Sequence, residues 1–172
     1  MRNKIKIYGE KVLKMKGEDV KNVEEVKDII FEMELILKEV NALGLAAHQI
    51  GKPLNLFIVN FDLFENGKGI KEFINPKLLY YEGEEIMEEG CLSIPEFYIE
   101  IPRPKKVFME FFDLNMNKNF ITAEGLLARV LLHEYDHING ILIFDRLKED
   151  ERKIMIARWK RLWKKKKEEN LK

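Results

Sequence analysis

The chain has 172 residues, 46% of them hydrophobic and 35% charged, with 30 Lys/Arg set against 30 Asp/Glu. That length suits one domain able to bury its own core, and zero net charge excludes a molecule organised around a global nucleic-acid- or membrane-binding field. Cys91 is the single cysteine, which excludes an intramolecular disulfide and points to a reducing compartment. Met1 to Tyr8 alternates charged and apolar residues, unlike a secretory signal, and no apolar stretch approaches the roughly 20 residues that span a bilayer. A cytoplasmic protein without membrane contact is expected. The neutrality hides an asymmetry: residues 148–172 hold eleven Lys/Arg and five Asp/Glu, a local +6 that leaves the remainder at −6.

In chain order, residues 1–20 read as irregular with short extended pieces. Asn22 then offers an N-cap, with Glu25 three residues on to complete a capping box. Val23, Val26, Ile30, Met33, Leu37 and Val40 follow at steps of three and four, predicting an amphipathic helix packed on the core. Small residues and glycines between Ala42 and Gly51 suggest backbone that must approach something closely. Leu54 to Phe61 and Phe73 to Tyr81 read as strands around an Asn66-Gly67 turn, and Glu84 to Glu89 as a further strand. Pro95, Pro102 and Pro104 argue against regular central strands between them. Val107 to Leu114 and Phe120 to Thr122 predict a hairpin. A helix starts near Ala123 and ends at Asn139-Gly140, where Gly140 suits a left-handed cap, and a charged helix covers roughly Lys148 to Glu169. The fold expected is α+β: largely antiparallel strands around a central metal-binding helix, with helices near both ends.

The chemistry gathers in His133-Glu134-Tyr135-Asp136-His137. Residues four apart share a helix face, so the two imidazoles can hold one side of a metal ion with Glu134 beside them as a base toward water. A chance pair of structural histidines is the bland alternative. Cys91 and His48 compete as third ligand. A thiolate binds Zn²⁺ or Fe²⁺ well, which favours Cys91, and three protein ligands with a position left to water mark a catalytic site.

Gly44-Leu45-Ala46-Ala47-His48-Gln49, Glu89-Gly90-Cys91-Leu92-Ser93 and His133-Glu134-Tyr135-Asp136-His137 together resemble the three motifs of peptide deformylases, in order and with the usual spacing. Ile94-Pro95, Arg103, Glu124 to Ala128 and Gly140 to Arg146 extend the resemblance over most of the chain up to about residue 150. It implies a catalytic unit over 1–150, with 151–172 as a basic helical extension of the same domain. The implied reaction removes the N-formyl group from the initiator methionine of nascent polypeptides and releases formate.

By position, Cys91, His133 and His137 would be the metal ligands, for Fe²⁺ most commonly, with Zn²⁺, Ni²⁺ or Co²⁺ able to replace it. Glu134 would move the proton, Gln49 and the Leu92 backbone N–H would stabilise the oxyanion, and Gly44, Leu45 and Leu126 would meet the peptide. Ala42 and Leu132 depart from the family's usual Gly and Gln. Tyr98 and Arg129 sit near the expected cleft, where they bear on peptide preference. A zinc endopeptidase is the competing enzyme reading, although Glu or His would be its usual third ligand.

In the tail, Met155, Trp159, Leu162 and Trp163 form a stripe at helical spacing, and Arg152 to Lys167 holds nine basic residues and no acidic one. A helix laid on the domain by its aromatic face is the simple account. Clustered cations also suit phosphate, and the resemblance implies contact with the ribosome through this helix.

Overall fold

The computed structural model describes residues 4–169; residues 1–3 and 170–172, the first and last of the chain read above, lie outside the described residues. Helix α1 spans Lys27–Val40. The Asn22 side chain does accept from the Glu24 N–H, but the turn it caps, Val23–Glu25, is a 3₁₀ turn, and the α-helix begins later than the capping-box reading places it. Tight turns of this kind are frequent at helix starts. The apolar stripe is unaffected: Val23, Val26, Ile30, Met33 and Leu37 are all buried.

Seven strands follow the same chain order: β1 Gly44–Ala46, β2 Leu56–Asn60, β3 Ile70–Glu82, β4 Glu85–Cys91, β5 Ile94–Arg103, β6 Lys106–Phe112 and β7 Lys118–Glu124. All their ladders are antiparallel. One sheet has the order β1-β2-β3-β6-β7, and β4-β5 form a separate two-stranded sheet. β5 runs regularly through Pro95 and Pro102, where the prolines suggest irregular chain. With only β4 as a neighbour, it has an open side on which a missing N–H costs no ladder bond.

Helix α2, Gly125–Ile138, carries the two histidines, and α3, Glu149–Glu169, closes the described chain. The core falls into three packed groups. One joins α1 to β1 and β2; a second sets α2 against the five-stranded sheet. The third holds the two-stranded sheet, the turn Ile143–Arg146 and Trp159 of α3. Gly140 has φ +71, and a Cβ there would lie 2.6 Å from the Lys14 carbonyl oxygen, so the chain turns out of α2 where only glycine fits. No helix of the described residues is long and apolar enough to cross a membrane.

On α3, Trp159 is 3% exposed, with its ring edge-on to Tyr8 and Phe144. Met155 and Trp163 pack beside it, whereas Leu162 is half exposed and stands off the stripe. The helix is therefore anchored by its aromatic face, with Lys160, Arg161, Lys164, Lys165 and Lys167 exposed.

Candidate metal centre

Three elements meet at the site, each bringing a different kind of group. The end of β4 brings Cys91; α2 brings His133, Glu134 and His137; the 3₁₀ turn Ala47–Ile50 after β1 brings Gln49. Cys91, His133 and His137 each offer a ligand atom within 4.8 Å of the others, and Cys91 Sγ lies 3.3 Å from His137 Nε2. Among the described residues they form the one cluster of this kind. His48 does not join it. Side chains of successive residues in a 3₁₀ turn point about 120° apart, so the turn that aims Gln49 at the cysteine aims its neighbour elsewhere. His48 is fully buried, and burial pulls its pKa below the ordinary histidine value, which favours a neutral ring.

These residues fit a divalent ion. A soft thiolate with two imidazoles is a donor set for Fe²⁺ or Zn²⁺. His133 Nδ1 lies 3.1 Å from Glu89 Oε2, which fixes the ring and directs its other nitrogen toward Cys91. Burial depresses the His137 pKa well below the usual value, whereas hydrogen bonds with Cys91 and Glu89 outweigh burial and raise that of His133 well above it, so a bound ion would have to displace a proton there. The His137 Nδ1 and Glu134 Oε2 atoms are buried and find no hydrogen-bond partner among the described residues. The unpartnered Glu134 oxygen is spare bonding capacity at this centre, whereas His137 Nδ1 lies on the ring side away from Cys91.

Glu134 is buried beside the ligands, and burial pushes its pKa up to about 7 despite the cations nearby. A carboxyl poised there both takes and gives protons at neutral pH. Its seat explains Gly44: a Cβ on that residue would lie 2.5 Å from Glu134 Oε1. The close approach anticipated around Gly44 is thus between the β1 backbone and the Glu134 carboxyl group.

Gln49 is oriented from both ends. Its Oε1 accepts from the Ala46 N–H at 2.9 Å, so its amide nitrogen faces Ser93 Oγ at 3.3 Å and Cys91 Sγ at 3.7 Å. An N–H donor is therefore held beside the thiolate. Leu92 stands in the turn between Cys91 and Ser93. β1 lies at the edge of its sheet, paired only with β2, which leaves a side open to an extended peptide. The Leu45 side chain is fully buried in the first core group, so only its backbone can serve that edge. Leu126, in the first turn of α2, is 44% exposed and free to line an open pocket.

A buried ionic network underlies the ligands, and the motifs alone do not reveal it. Arg103 donates through Nε to Glu89 Oε1 at 2.5 Å and through Nη2 to Glu89 Oε2 at 2.9 Å; its Nη1 reaches Asp136 Oδ2 at 2.8 Å. Arg146 donates to both oxygens of Asp136 from the far side. Burial works to raise the Glu89 pKa, yet hydrogen bonds from His133 and Arg103 outweigh it and hold the carboxyl well below its ordinary range. Glu89 and Arg103 are visible in the sequence only as parts of the resemblance. Asp136 lies between the two histidines, but its partners are 10 and 33 residues away, beyond any local pattern. Arg129 is buried too, its guanidinium turned toward the β4–β5 hairpin.

Comparison with known proteins identifies the family. A family model described as Polypeptide deformylase matches residues 2–153. A peptide deformylase of Treponema pallidum is 36% identical over 157 residues, covering 90% of this chain and 94% of the relative. The crystal structure of peptide deformylase from Thermus thermophilus superposes with a TM-score of 0.84 at 34% identity, over 94% of this chain and 98% of that one. A peptide deformylase from Synechococcus elongatus, solved in complex with actinonin, gives 0.80 at 33% identity, over 86% and 82%. With its fold, its three motifs and its Cys/His/His cluster all in place, this chain belongs to the polypeptide deformylase family.

Proposed function

We propose that the chain hydrolyses the N-formyl group from N-formylmethionine at the start of nascent polypeptides, releasing formate. The observation that carries this reading is the convergence of Cys91, His133 and His137 beside the buried Glu134 carboxyl, in a member of this family. A divalent ion held by those three residues would supply Lewis acidity, activating water and polarising the formyl carbonyl. Fe²⁺ is the first choice, with Zn²⁺, Ni²⁺ and Co²⁺ as alternatives, since thiolate and imidazole suit each of them. Glu134 takes a proton from the attacking water and returns it to the methionine nitrogen as the amide C–N bond breaks. The Gln49 amide and the Leu92 backbone N–H donate to the oxygen on which negative charge builds. The peptide lies along the open edge of β1 at Gly44 and Leu45, its methionine side chain against Leu126.

Anaerobically purified protein with about one bound ion per chain is expected to release formate from formyl-Met-Ala and to leave an unformylated internal peptide intact. Metal-loaded protein that cleaves the internal peptide instead would favour the endopeptidase reading, which the family membership does not support. Gln49→Ala should lower kcat about 10²–10³-fold, the usual cost of one oxyanion donor, with metal content unchanged. An unaltered kcat would remove Gln49 from that role.

The free thiol as ligand is compatible with a reducing cytoplasm. We take residues 1–150 as the catalytic unit and 151–172 as an extension; the burial of Trp159 in the third core group supports its belonging to the same domain. The exposed lysines of α3 suit the ribosome as partner. Removing the helix would be a poor test, because it would also strip Trp159 from the core. Replacing Lys160, Arg161, Lys164 and Lys165 together by Gln keeps the aromatic face intact. Ribosome binding should weaken and become less salt-dependent, while turnover of small formyl-peptides holds. Binding with an unchanged salt slope would sink the assignment.

A further inference from the structure

The sequence suggests Arg129 as a neighbour of the peptide cleft, but its guanidinium points into the protein. It is 4% exposed. Nη1 donates to Glu89 Oε1 at 2.6 Å and to the Ile101 carbonyl at 2.9 Å, and reaches the Met87 carbonyl at 3.5 Å. Nη2 donates to the Glu85 carbonyl at 2.6 Å. One side chain on α2 thus spans both strands of the β4–β5 hairpin.

That hairpin carries Cys91 and shares no ladder with the five-stranded sheet, whereas the histidines ride on α2. No backbone pairing therefore sets the separation of thiolate from imidazoles. Side chains that bridge hairpin and helix are left to help set it. Arg129 stands four residues before His133, on the same helix face, and both reach Glu89. Arg103 grips both Glu89 oxygens, and Arg129 adds a second donor on Oε1, so the carboxylate that meets His133 through Oε2 is held from two sides.

We propose that Arg129 is a positioning residue for the metal centre: by tying the β4–β5 hairpin to α2 and fixing the Glu89 carboxylate, it sets the reach of Cys91 to His133 and His137. This rests on the site reading given above. A lysine ammonium could still meet Glu89 and the Ile101 carbonyl, as Nη1 does, but would lose the Glu85 carbonyl that Nη2 holds at the same time.

The test compares wild type, Arg129→Lys and Arg129→Met as metal-loaded proteins. The rate of Zn²⁺ release to a chromogenic chelator should rise about 10–100-fold in Arg129→Met, the usual cost of losing a group that orients a ligand. Arg129→Lys should fall between it and wild type. In the Co²⁺ forms, the thiolate charge-transfer and d–d bands should shift in the same order. For formyl-Met-Ala, kcat should drop with KM unchanged. Wild-type release rates and spectra with only KM raised would overturn the proposal in favour of a peptide contact. A lower thermal midpoint with wild-type release and spectra would overturn it in favour of a purely structural role. If Arg129→Met does not fold, Arg129→Lys decides by the same two readouts. Wild-type protein that binds no ion would instead sink the reading of the site itself.

Discussion

Glu134→Ala is expected to keep its full complement of metal and lose nearly all formate release. In the proposed site Cys91, His133 and His137 would supply the ligand atoms, so removing the carboxyl leaves that donor set whole. What disappears is the one buried group at the centre whose pKa stands at about 7. General acid–base groups contribute about 10²–10⁴-fold, and kcat should fall by that amount. Glu134→Gln should fall as far, because the amide keeps the shape but carries no proton to exchange. Metal analysis beside the formate assay separates the possibilities. Loss of metal together with activity would make Glu134 a support for the site, and an active mutant would end its assignment as proton carrier.

Glu89→Ala should damage the fold strongly. Glu89 is 6% exposed and receives Arg103, Arg129 and His133. Without it, two buried guanidinium groups lose their shared counter-charge and His133 loses its acceptor. Arg103 keeps Asp136, and Arg129 is the guanidinium left without a carboxylate. Breaking a buried ion pair from one side costs about 3–5 kcal/mol. In a chain of this size that corresponds to a thermal midpoint lower by roughly 6–20 °C. Metal should also be held less tightly, because the carboxylate orients His133. Thermal melts of metal-free protein isolate the first effect, and chelator competition isolates the second. A metal-free midpoint equal to wild type would mean that water enters and solvates the arginines, so that the network adds little to stability.

Much of the architecture could be read from local pattern. The apolar spacing from Val23 to Val40 marked the helix that became α1, and the apolar, aromatic run Val107 to Leu114 marked the hairpin arm that became β6. Both are local patterns, carried within a few neighbouring residues. The prolines at 95 and 102 are indeed incompatible with a central strand, but a two-stranded sheet leaves β5 an open side, and strand order is not a local property.

The chemistry of the site was determined by sequence alone to the extent that it depends on residue type and spacing. His133 and His137 one helical turn apart, Glu134 between them and a lone Cys91 require only a helix and a return of the chain. Tertiary structure decided the rest. It chose Cys91 over His48 by turning the 47–50 segment so that Gln49 faces the sulfur. It placed the Glu134 carboxyl over Gly44, and it drew Glu89, Arg103, Arg129 and Asp136 into one buried network. It also turned the Arg129 guanidinium inward, onto Glu89 and the β4–β5 hairpin. The reason is physical. A buried charge is tolerable only opposite its counter-charge, and that partner is set by how a hairpin and a helix pack, across 14 to 40 residues of chain.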